Sequence, residues 1–80
     1  MKVRVLLFAS YAEALGTNEL SLEVPDGTRA EDVLTRVREL SVTRELPPSP
    51  LVAINATYAL AGQALAAGDE IAIIPPVSGG

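Results

Sequence analysis

The chain has 80 residues, 49% hydrophobic and 20% charged, with a formal charge of −4. That is one small globular domain, able to build a core but with little volume for a deep internal site. It contains no cysteine and no histidine, which excludes disulfides, thiol nucleophiles and the usual zinc or haem ligands, so no bound metal is expected. Acidity argues against nucleic acid as a partner and makes a basic protein surface the more natural one. No stretch approaches the ~20 apolar residues that span a bilayer, and the start lacks a signal-peptide pattern. No membrane is therefore expected, and the lack of cysteine fits a cytoplasmic setting.

Residues 2–9 are apolar and β-branched and read as a strand, with Val3, Val5 and Leu7 on one face and Lys2, Arg4, Leu6 and Phe8 on the other. Tyr11 to Leu15 is expected to make one helical turn, with Ser10 as its cap and Gly16 as its stop. Glu19 to Val24 alternates polar and apolar, a half-buried strand with Leu20, Leu22 and Val24 inward. Pro25-Asp26-Gly27 marks a turn. Thr28-Arg29-Ala30-Glu31 has capping-box spacing, and Ala30, Val33, Leu34, Val37 and Leu40 follow as one helical stripe. Ser41 to Pro50 holds three prolines and reads as a loop. A short strand is expected at 51–54, a turn at Asn55-Ala56-Thr57, a brief return at 58–60, a turn at 67–69 and a last strand at 70–74. The order predicts an α+β fold: one main helix on a mixed sheet of four or five strands, the β-grasp arrangement. Residues 1–74 would form the domain and 75–80 an extended tail.

That tail, Pro75-Pro76-Val77-Ser78-Gly79-Gly80, is the most informative segment. Two glycines close a random chain in roughly 0.5% of cases. Pro75 and Pro76 favour a stiff, extended path away from the sheet. Gly79 and Gly80 lack a Cβ, so the backbone can enter a channel closed to other residues. Gly80 ends in a carboxylate that is ionised at neutral pH. Joined to AMP it becomes a mixed anhydride, and sulfide or a persulfide can displace AMP to leave a thiocarboxylate. None of these steps needs a cysteine, a histidine or a metal on this chain. The bland alternative is a frayed end without a function.

Three segments carry a family resemblance: Val5-Leu6-Leu7-Phe8-Ala9 with Ala14-Leu15-Gly16; Val52-Ala53-Ile54-Asn55; and Gly68-Asp69-Glu70-Ile71-Ala72 followed by Pro75-Pro76-Val77-Ser78-Gly79-Gly80. Over essentially its whole length the chain resembles the small, sulfur-carrying subunit of molybdopterin synthase, a ubiquitin-like β-grasp family. The resemblance implies a cycle in molybdenum cofactor biosynthesis. A partner adenylyltransferase uses ATP to adenylate Gly80, a sulfur donor system converts it to a thiocarboxylate, and the tail enters the large synthase subunit to give sulfur to a precursor pterin. The chain would be a sulfur-donating protein substrate more than a catalyst, in a heterotetramer, with no bound cofactor beyond the covalent sulfur. Pro75, Pro76, Val77 and Ser78 would be the part of the tail that partners enclose. Ala66-Ala67 departs from the polar or acidic residue more usual in the family before Gly68-Asp69, and the proline-rich loop is unusual.

Strand parity predicts a docking face. Glu70 should face out and carry Ala72 and Ile74 with it, as Lys2 and Arg4 carry Leu6 and Phe8. If the first and last strands are neighbours, Phe8, Leu6 and Ile74 make an apolar patch beside the tail, joined by Tyr58 as an aromatic anchor. The alternative is that loops of the chain cover Leu6 and Phe8. Glu19 and Glu23 read as solvated, Asp26 as turn chemistry, and Glu31 and Asp32 as helix-terminus charge. Three other functions stay open: a carrier for another pathway such as thiamine synthesis, a ubiquitin-like modifier joined to lysines, and a passive adaptor.

Overall fold

The computed structural model describes residues 1–41, 50–60 and 62–75. The expectations for Pro76, Val77, Ser78, Gly79 and Gly80, and for the loop over 42–49, lie outside the described residues. The elements are β1 (Lys2–Leu7), α1 (Ala9–Leu15), β2 (Glu19–Glu23), α2 (Ala30–Leu40), β3 (Leu51–Ile54), β4 (Thr57–Tyr58) and β5 (Glu70–Ile74). The five strands form one sheet in the order β2-β1-β5-β3-β4. β1 runs parallel to β5 and antiparallel to β2, and β3 is antiparallel to both β5 and β4. The sheet is therefore mixed, with the first and last strands side by side at its centre, as the β-grasp reading requires.

Alternation decides which residues reach the core. Val3, Val5 and Leu7 of β1, and Ile71 and Ile73 of β5, are 0–2% exposed. They meet the stripe Ala30, Val33, Leu34 and Val37 of α2. Each fully buried Val or Ile contributes about 1.5–3 kcal/mol relative to exposure. Tyr11 of α1 completes this core and is 1% exposed. Burial pushes its phenol pKa up, and Arg38 partly offsets the effect.

Three local expectations change. The start of α2 lies one residue later than the Thr28 cap predicts. Arg29 is held extended by a bridge to Ala64: the Leu65 N–H donates to the Thr28 carbonyl at 2.9 Å and the Ala30 N–H to the Gln63 carbonyl at 3.0 Å. Arg29 is thus the N-cap, with φ −108° and ψ 165°. Its N–H is taken by the Asp32 carboxylate at 2.9 Å, while the Thr28 hydroxyl donates to the Pro25 carbonyl at 2.7 Å. Ser10 is inside α1, which begins at Ala9 after an extended Phe8 without a side-chain cap. Leu40 leaves the stripe at 48% exposure. It stands in the last turn of α2, where the Ser41 N–H closes on the Arg38 carbonyl, three residues back, at 3.2 Å.

The β3–β4 turn is Asn55-Ala56, both left-handed at φ 50° and 68°, as a two-residue hairpin demands. Thr57 therefore belongs to β4 and not to the turn.

Candidate functional site

The face of the sheet away from α2 carries the alternate residues. Residues paired across a sheet share a face, so the register can be followed strand by strand. Glu19 of β2 pairs with Leu6 of β1. Leu6 pairs with Ala72 of β5, Ala72 with Ala53 of β3, and Ala53 with Tyr58 of β4. One transverse row thus reads acidic, large, small, small, large. The next row toward the tail holds Ile74 opposite Leu51, with Phe8 following Leu7, the partner of Ile73. The row on the other side sets Arg4 beside Glu70.

Two alanines in the middle of this relief leave a hollow. Ala53 and Ala72 floor a concavity of about 320 Å³, walled by Leu6, Phe8, Tyr58 and Ile74, with Ala56 and Glu70 at one end. Phe8 is 45% and Tyr58 73% exposed. The apolar side chains that strand parity grouped thus come together on one face, and no described loop covers Phe8. Phe8 and Leu6 also border a second hollow against α1, which reaches Asn18 and Glu19. Ile74 and Pro75 stand at the tail end of the patch, so the chain leaves the sheet beside Phe8 and not beside Glu70.

Charge lies at the opposite end. The Arg4 guanidinium pairs with the Glu70 carboxylate and lies 3.8 Å from that of Glu19. Exposed pairs of this kind add only about 0–1 kcal/mol, but Arg4 keeps Glu70 occupied at the rim of the hollow.

A polar knot that strand parity did not reveal fixes the same end. The Asp69 carboxylate accepts the Ala66 N–H at 2.8 Å and the Asn55 side-chain amide at 2.9 Å. Asn55 in turn accepts the Glu70 N–H at 3.0 Å and donates its own N–H to the Glu70 carbonyl at 2.8 Å. The Ala66 bond first, and the Asn55 bond second, hold the Asp69 carboxyl below its usual pKa. The knot ties the β3–β4 turn, and with it Ala56, to the start of β5. Asn55 in a tight turn with Gly68-Asp69 before a strand was its sequence signal. Among the described residues no group of three acidic side chains is placed to hold a metal ion. No described helix is long and apolar enough to cross a membrane.

The ThiS family profile matches residues 5–80. The chain belongs to the ThiS family. Its ThiS relatives include the molybdopterin synthase sulfur carrier subunit of Chlamydomonas reinhardtii, 39% identical with 100% of both chains covered. Among solved structures, small archaeal modifier protein 1 of Haloferax volcanii is 31% identical and superposes with a TM-score of 0.81, again over 100% of both chains. A Helicobacter pylori complex of subunits 1 and 2 of molybdopterin-converting factor contains a chain 21% identical, with a TM-score of 0.69 over 100% of both chains. At that identity the likeness is one of fold. The ThiS match runs through β5 to the last glycine.

Proposed function

We propose that this ThiS-family chain is a sulfur carrier for molybdopterin synthesis, and that the Gly80 α-carboxylate is its working group. The observation that carries the reading is the apolar hollow set where β5 hands over to Pro75 and the Gly-Gly ending. A partner seated there stands within the reach of the tail. Full-length identity of 39% to a molybdopterin synthase sulfur carrier subunit supports the pathway.

In the proposed cycle an adenylyltransferase joins Gly80 to AMP from ATP, and pyrophosphate leaves. Sulfide attacks the acyl carbon, the acyl–phosphate bond breaks, AMP leaves, and a thiocarboxylate remains. With a persulfide donor an acyl disulfide forms first, and a second thiol releases it. In the large synthase subunit the sulfur attacks a carbon of the precursor pterin, the bond from that carbon to an oxygen substituent breaks, and the oxygen leaves with a proton. Water then cleaves the acyl–sulfur bond and restores the carboxylate. This chain contributes the docking face and the activated terminus, and the side chains that move protons belong to its partners.

The test is intact-protein mass spectrometry after incubation with a ThiS-type adenylyltransferase, ATP and sulfide. The expected result is a mass gain equal to sulfur replacing oxygen, mapped to Gly80 and absent when Gly80 is deleted. No gain with an enzyme proven on another carrier overturns the reading. A second reading, a modifier joined to lysines, draws on the likeness to small archaeal modifier protein 1. It uses the same activated carboxylate and predicts higher-mass conjugates that vanish with the Gly80 deletion.

A further inference from the structure

We infer that the hollow floored by Ala53 and Ala72 is a socket that takes one bulky apolar side chain from the protein receiving the tail. The inference rests on the function proposed above and specifies how that partner is gripped.

The first observation is the choice of residue. Alanine is a poor strand former beside valine or isoleucine. Yet Ala53 and Ala72 stand opposite each other in the adjacent strands β3 and β5. Each is flanked by large inward residues: Val52 and Ile54 in one strand, Ile71 and Ile73 in the other. The strands thus take β-branched residues where they face α2 and the smallest side chain where they face out. Ala53 is 7% exposed yet lies outside the core cluster.

The second observation is shape. The walls come from three strands and the segment after β1: Leu6, Phe8, Tyr58 and Ile74. A flat apolar patch would need large residues throughout, but this one is high at its rim and low at its centre. Such a surface excludes water only when a protrusion fills it.

The occupant follows from the lining. Glu70 is the one charged residue on it, and Arg4 holds that carboxylate. A basic side chain would have to displace Arg4, whereas an aliphatic or aromatic one meets apolar surface on the floor and the four walls. The partner follows from position. The chain leaves at the Ile74–Phe8 end, and residues 76–80 extend at most ~18 Å. A protein that holds Gly80 therefore lies against this end of the socket.

The experiment is calorimetric titration of the purified large subunit of molybdopterin synthase with wild type, Ala72→Val and Ala72→Leu, each checked by thermal melting. The socket predicts that affinity falls as the floor rises, by about tenfold for Ala72→Leu and less for Ala72→Val, while melting temperatures hold. A flat patch predicts the reverse, because both variants add apolar area. Ala72→Leu binding as tightly as wild type overturns the inference. If that variant fails to fold, Ala72→Val decides by the same criterion. Wild-type binding that weakens steeply with salt and is lost in Glu70→Gln overturns the apolar occupant. No wild-type binding removes the partner reading itself, and the socket with it.

Discussion

The two faces of the sheet are built from the same strands and do opposite work. In β5, Ile71 and Ile73 are sealed at 0% exposure, while Glu70, Ala72 and Ile74, one residue out of phase, remain partly open. In β1, Val3, Val5 and Leu7 are buried while Leu6, and Phe8 just after the strand, keep contact with solvent. The helix-covered face supplies stability through close-packed branched side chains. The open face gives up some burial to keep a shaped surface. A two-residue period thus lets one short strand fill the core with one set of side chains and leave the other set free for the docking role proposed above.

The contrast can be broken most severely from the closed side. Ile71→Ala should cost about 2–4 kcal/mol by leaving a cavity under α2. Denaturant unfolding will show it, and the fraction that remains folded should dock with unchanged affinity. Phe8→Asp is the opposite case. It should shift stability by no more than about 0.5 kcal/mol and weaken binding of the large subunit about tenfold or more. Unaltered affinity by calorimetry would strip the open face of its docking role.

The smallest effect sharpens the comparison at the rim. Asp69→Ala should destabilise the fold by about 1–2 kcal/mol at neutral pH through the loss of two accepted hydrogen bonds. Its carboxyl is held below the ordinary value in the folded chain, by the Ala66 bond first. That stability is therefore fully present above the unfolded pKa of about 3.9 and is lost as pH falls through the lower folded value. The gap in melting temperature between wild type and Asp69→Ala should narrow below about pH 4. A constant gap would mean that the knot acts through shape alone.

Parity made much of this legible in the sequence. Val3-Arg4-Val5 and Glu70-Ile71-Ala72 state their faces outright, while the neighbouring of β1 and β5, a condition of the docking face in the sequence, is supplied by the register. What escaped was set by partners distant in sequence. Thr28 looks like a cap until residues 63–65 bridge to the backbone around Arg29 and the cap moves one residue on. Asn55 and Asp69 are 14 residues apart, and the turn signal at each does not say that the two side chains meet. Tyr11 reads as an aromatic of unassigned place, yet it fills the core beneath α2. The hollow needs a register to be seen: Ala53 and Ala72 are unremarkable singly and form a floor only when β3 and β5 are laid side by side.

The central position of β5 couples synthesis to competence. β1 waits for a parallel neighbour that lies 66 residues further along, as the Arg4–Glu70 pair records. Such distant pairing must overcome loop closure before it is rewarded, and it slows assembly. The strand that closes the sheet is also the one that completes the hollow and launches the tail. On the proposed function, an unfolded copy has every atom of the terminus but lacks the surface that a partner would read. The address is then complete only when the last strand is in place, and the fold itself would act as the check on which copies are loaded.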